Sequence, residues 1–203
     1  MQESILQPYG LYYRTNTFQP ERQTLVFIHG LSGSSSAWIP YEEQFGEHYN
    51  VVTFDLRGHG KSLKPKGYSQ YTIEKFSDDL QALLVHLKIT SPILISHSFG
   101  TLVVFAYLKK YGQAVTAALF FSPNYKVKQN FWATLLYYCL WFVPALSIFP
   151  VWKKTGRHVD YNLYRQTGDY SLTRMPVDIA NTSLRVYLYC IQQAFKFSCE
   201  RFL

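Results

Sequence analysis

The residues best suited to chemistry lie in Ser96-His97-Ser98-Phe99-Gly100, a small-x-Ser-x-Gly pattern between two contrasting segments. Before it, residues 93–95 form a short apolar run of the kind a buried strand uses. After it, residues 101–108 are apolar almost throughout. They lead into Lys109, Lys110 and Gly112, which read as the cationic last turn and glycine stop of a helix. A strand can pass straight into a helix only through a strained residue with small neighbours two positions to either side. That geometry lifts Ser98 Oγ clear of the sheet and aims the first helical N–H groups at whatever it attacks. The chemistry this would allow is nucleophilic attack by the serine hydroxyl, the alternative being a strand–loop–helix junction that happens to contain serine. Such an attack needs a base to take the serine proton and N–H donors to hold the oxyanion.

The elements that must position this serine follow in order. Residues 9–15, 25–28, 51–54 and 117–121 read as further strands, 25–28 being wholly apolar and therefore central. Strand 25–28 ends in His29-Gly30-Leu31-Ser32-Gly33-Ser34, where small residues let a backbone loop pass close to a ligand. Strand 51–54 ends in Asp55-Leu56-Arg57-Gly58-His59-Gly60-Lys61-Ser62. Asp55 and His59 are acid and base by type, but a carboxylate at a strand end more often holds its own turn, and that is the role expected here. Ile73, Phe76, Leu80, Leu83, Leu84 and Leu87 recur at helical spacing after Thr72. Strands alternating with helices predict an α/β fold, with about six strands in a mostly parallel sheet covered on both faces. The glycine loop, the Asp55 turn, the Ser98 elbow and the Asn124 corner all fall at the carboxyl ends of strands, where such sheets carry their sites.

Bulk properties narrow the field. The 203 residues suit one domain, or a core with a large insertion, and 48% hydrophobic residues are ample for a sizeable core. The +7 charge gathers at Lys61, Lys64, Lys66, at Lys126, Lys128 and at Lys153, Lys154, Arg157, with no nucleic-acid motif, so no nucleic-acid partner is expected. Cys139, Cys190 and Cys199 are too few for a disulfide framework and suit a reducing compartment. No signal peptide is visible at the N-terminus, and a cytoplasmic location is expected. Histidines and cysteines lack ligand spacing, so neither a metal nor a cofactor is expected.

Together, 25–30, Asp55 to Ser62 and Ser96 to Gly100 resemble the α/β-hydrolase family, in its order, over about residues 9–124. The resemblance implies that Ser98 is the nucleophile and that the backbone N–H groups of Leu31 and Phe99 form the oxyanion hole. It implies an ester or related acyl bond as substrate. A serine at this position argues against dehalogenase or epoxide-hydrolase chemistry, which uses an aspartate there. Ser96 stands where the family more often has glycine. Residues 1–124 would be the core, and 125–203 resemble an inserted helical cap. Residues 131–152 carry no charge over twenty-two positions and are interrupted by Pro144 and Pro150. Three readings stay open for them: a lid over the site, a lid lying on a membrane surface, and a span. A greasy lid implies an apolar acyl substrate. A helix is expected over 177–197, starting near Pro176 and Asp178. Gly168, Asp169, Tyr170 and Arg174 are polar positions that would anchor the cap.

The family places its acid after a seventh strand and its histidine after an eighth, and this chain ends at Leu203 before either is expected. Ser122-Pro123-Asn124 offers no carboxylate, although Asn124 would orient an imidazole. His97 is expected to point away from Ser98, which leaves His158 as the histidine a moving cap would bring near. The acid and base therefore stay unassigned. Two readings follow: a serine hydrolase, or a truncated or non-catalytic relative that binds without cleaving. Either leaves the sixth strand as an open edge where another chain can pair.

Overall fold

Strand chemistry decides the sheet. The computed structural model describes residues 1–112, 115–123, 134–135, 138–148, 173 and 175–197. It has strands β1 (Gln2–Leu6), β2 (Leu11–Thr15), β3 (Thr24–Ile28), β4 (Asn50–Phe54), β5 (Ile93–His97) and β6 (Ala117–Phe121). They form one sheet in the order β1-β2-β4-β3-β5-β6. β3 pairs in parallel with β4 and with β5, and β5 with β6, while β1 and β2 are antiparallel additions. All five of the expected strands match within two residues. β1 is the one that went unread: only Leu6 of its five residues is buried, so it lacks the apolar signal of an inner strand.

Alternate residues of the parallel strands feed two cores. Val26, Ile28, Val52, Phe54 and Leu94 share a cluster with Phe76, Leu80, Leu83 and Leu84 of α2 (Ile73–His86) and with Phe99, Leu102 and Val103 of α3 (Phe99–Tyr111). Their sequence neighbours Leu25, Phe27, Val51 and Ile95 pack with Trp38, and with Phe45 of α1 (Ile39–Phe45), on the other face. α2 starts where its pattern begins, with the Thr72 side chain accepting from Lys75 N–H. α3 ends at Gly112 without a left-handed residue (φ −67°), so the glycine there is no conformational necessity.

The helix expected over 177–197 is two helices, α4 (Met175–Thr182) and α5 (Leu184–Lys196). They break at Ser183, which sits at φ 80° and whose hydroxyl accepts from Val186 N–H at 3.4 Å. The break is local backbone chemistry that apolar periodicity does not reveal. Val186, Tyr189 and Cys190 of α5, together with Leu140 and Val143, belong to the same cluster as the sheet and α2. The boundary expected at 124 lies outside the described residues. At the far side of the sheet, Leu119 and Phe121 of β6 are 45% and 49% exposed. The outer strand thus keeps one apolar face uncovered.

Candidate active site

β5 enters α3 through Ser98, whose backbone sits at φ 49° and ψ −112°. A serine in that region stores about 1–3 kcal/mol of strain and persists only where its surroundings fix it. Three hydrogen bonds do so. Ser98 N–H donates to Phe121 O at 3.0 Å on β6, and Ser98 O accepts from Thr101 N–H at 3.0 Å and Thr101 Oγ1 at 2.6 Å. Packing completes the constraint. A Cβ on Gly100 would lie 2.7 Å from His29 O and 2.8 Å from Ile28 O, so the start of α3 rests directly on the end of β3. Ser96 is wholly buried, and its hydroxyl points to Leu119 O at 3.4 Å. The Ser98 side chain does not cap α3, and the residue is half-buried at the carboxyl edge of the sheet.

The glycine loop passes beside this elbow. A Cβ on Gly30 would meet the His97 ring at 2.7 Å and Ser98 Cβ at 3.4 Å. His97 therefore lies against the loop. His29 Nε2 accepts from Leu56 N–H at 2.9 Å, so the proton is on Nδ1, which donates to Gly30 O at 2.8 Å. Asp55 holds loop and turn together: Oδ1 accepts from Ser35 N–H at 2.6 Å and Oδ2 from Lys61 N–H at 2.7 Å. Gly60, at φ 46°, would place a Cβ 2.0 Å from that carboxylate. Asp55 is fully buried, and these bonds give it the turn-holding role. Leu31, half-buried, follows Gly30, and Phe99 is the first residue of α3. No acceptor among the described residues takes the N–H of either.

His59 is fully buried, its ring 5.2 Å from that of His29, and Nδ1 donates to Arg57 O at 3.0 Å. Burial, reinforced by the neighbouring His29, pushes its pKa down to about 3. An imidazole with so little affinity for a proton is poorly matched to taking one from Ser98 at neutral pH. Asn124, His158, Gly168, Asp169, Tyr170 and Arg174 lie outside the described residues, whereas Asp178 is buried in the first turn of α4.

Some contacts at the site had no sequence signal. Arg57 makes a two-pronged ion pair with buried Asp79 of α2, with Nε to Oδ2 at 2.6 Å, and its Nη1 donates to Gln70 O at 3.0 Å. Burial raises the Asp79 pKa although Arg57 pulls it down. The end of α4 is fastened to the site's loops: Thr182 Oγ1 donates to Ser32 O at 3.2 Å, and Lys64 Nζ to Asn181 O. A groove of about 480 Å³ lined by Arg22, Asn50, Lys88 and Thr116 opens at the amino ends of the strands, opposite Ser98. Asn50 there is spent on bonds to Gln19 and Arg22.

Comparison with known proteins fits this geometry. A family model described as "alpha/beta hydrolase fold" matches residues 23–144. The "Probable oxidoreductase EphD" of Mycobacterium tuberculosis is 33% identical over 116 residues, 57% of this chain and 19% of that protein. A "Putative esterase/lipase" of Haemophilus influenzae is 36% identical over 76 residues, 37% of this chain and 25% of that protein. The chain thus spans a minor part of the curated relatives it matches. Among solved structures, MGS-M2, an α/β hydrolase enzyme from a deep-sea metagenome library, superposes with a TM-score of 0.68 at 18% identity. That match covers 98% of this chain and 74% of the other, and is a likeness of fold.

Two outcomes are expected. Gly100→Ala lowers the unfolding free energy by about 1–3 kcal/mol or more, read from the denaturant midpoint, because backbone oxygens cannot make room. The second concerns pH. The unfolded chain binds a proton at His59 near pH 6.5 and the folded chain refuses it until about pH 3. Stability therefore falls as pH drops below 6.5, by about 1–2 kcal/mol between pH 7 and pH 5. Urea titrations in that window show a shallower fall for His59→Gln.

Proposed function

This chain belongs to the α/β-hydrolase family, and we propose that it is a serine hydrolase acting on an ester or related acyl bond of an apolar substrate. The observation that carries this reading is the Ser98 backbone at φ 49°, half-buried at the head of α3 and flanked by the Gly30 loop. Ser98 Oγ attacks the acyl carbon, the carbonyl π bond opens onto oxygen, and the Leu31 and Phe99 N–H groups hold that oxyanion. Collapse expels the alcohol, which takes up a proton, and leaves an acyl-Ser98 ester that water cleaves. The serine side chain, rather than a carboxylate, favours acyl transfer over the epoxide opening named for some relatives.

The proton from Ser98 needs an acceptor. His29 already uses both ring nitrogens on backbone groups, and His59 is too weak a base. His158, the candidate from the sequence, lies outside the described residues. These observations keep a second reading alive, a binding protein that retains the elbow without cleaving. An apolar substrate is supported by the uncharged residues 131–152 and by the burial of Leu140 and Val143 against the core.

Fluorophosphonate labelling of the 203-residue chain, followed by intact mass, separates the two readings. The hydrolase reading expects one adduct, at least about a thousandfold slower or absent in Ser98→Ala. A folded wild-type chain that takes no label supports the binding reading and removes the proposed activity from this chain.

A further inference from the structure

The described part of 134–148 turns apolar side chains both inward and outward. Leu140 and Val143 are buried in the main core, and Gln192 Nε2 donates to Leu140 O at 2.8 Å, which fastens the inner side. The outer side carries Leu135, Tyr138, Trp141, Phe142 and Ile148, with Trp141 and Ile148 each 77% exposed. A segment that borders water places polar residues outward, and this one does the opposite. Five large exposed apolar side chains within fifteen residues of sequence point to an interaction site.

The charge pattern says what covers it. No Asp or Glu occurs between Asp79 and Asp160, while Lys126 and Lys128 precede the patch and Lys153, Lys154 and Arg157 follow it. Tryptophan and tyrosine, apolar with one polar end, favour the boundary between headgroups and acyl chains. The segment also meets much of its own backbone demand. Trp141 N–H donates to Tyr138 O, Val143 N–H to Leu140 O and Ala145 N–H to Phe142 O, and Ser147 Oγ donates to Pro144 O. It can enter a low-dielectric layer without leaving those groups unpaired. No described helix is long and apolar enough to cross a membrane. A second copy of this chain carries the same +7 net charge and offers no acidic residue in this stretch of sequence, which disfavours it as the occupant.

We propose that this chain docks on the surface of an anionic lipid bilayer, immersing the exposed side chains of Leu135, Tyr138, Trp141, Phe142 and Ile148, with the acid-free, lysine-containing sequence around them supplying the preference for anionic lipid. The inference stands apart from the acyl chemistry, and Ser98→Ala is expected to bind vesicles as the wild type does.

The test is co-sedimentation of the full chain with vesicles of phosphatidylcholine alone and of phosphatidylcholine mixed with phosphatidylglycerol. The proposal expects binding to the mixed vesicles that weakens in high salt. W141S/I148S should lower partitioning at least about tenfold, and because both side chains are exposed its circular dichroism should match the wild type. K153E/K154E should lower partitioning about tenfold or more on the mixed vesicles only. Equal binding to both vesicle types, no binding, or undiminished binding by W141S/I148S overturns the proposal. So does self-association without vesicle binding that W141S/I148S abolishes, which would make the patch a contact between copies.

Discussion

The contact on which the rest depends is the close approach of two backbones, where the start of α3 at Gly100 rests on the end of β3 at Ile28 and His29. No side chain fits between them. Because α3 is held that near, Ser98 must turn through a positive φ to connect β5 to it, and the hydroxyl ends at the carboxyl edge of the sheet. The same closeness brings the Gly30 loop against His97 and Ser98. Strain at one residue is thus maintained by packing at two glycines and by the hydrogen bond from Ser98 N–H to Phe121 O on β6.

Asp55 extends that constraint to the neighbouring turn. A fully buried carboxylate is costly unless its oxygens are satisfied, and here backbone N–H groups from two different loops satisfy them. The glycine loop and the Arg57 to Ser62 turn are therefore positioned by one side chain. Arg57, paired to Asp79, fixes the turn to α2 in its own way. The two buried imidazoles nearby serve architecture: one orients the loop backbone, and the other is held neutral by burial.

Most of this sheet was legible in the sequence because each inner strand ends in a different chemical signature. His29-Gly30, Asp55 to Ser62 and Ser96 to Gly100 are short, local and unlike ordinary surface loops. β1 was not legible, since an edge strand that exposes four of five residues carries no alternation. The break at Ser183 did have a local signal, the polar run Asn181-Thr182-Ser183 of capping-type residues, which the helical spacing of the apolar residues around it outweighed. Long-range polar contacts were invisible for a different reason. Arg57 with Asp79, Lys64 with Asn181, and Thr182 with Ser32 are partners far apart in the chain, and no local pattern announces them. The acid and base stayed unassigned because the family's pattern places them beyond the matched segments.

In the proposed mechanism, Leu31 and Phe99 present their N–H groups to an oxyanion formed on Ser98. A crystal structure of the phosphonylated chain tests it most directly. The expected result is a phosphonyl oxygen about 2.7–3.1 Å from both nitrogens, with Ser98 still at positive φ. A phosphonyl oxygen turned to solvent, or a Ser98 relaxed to negative φ, would contradict it.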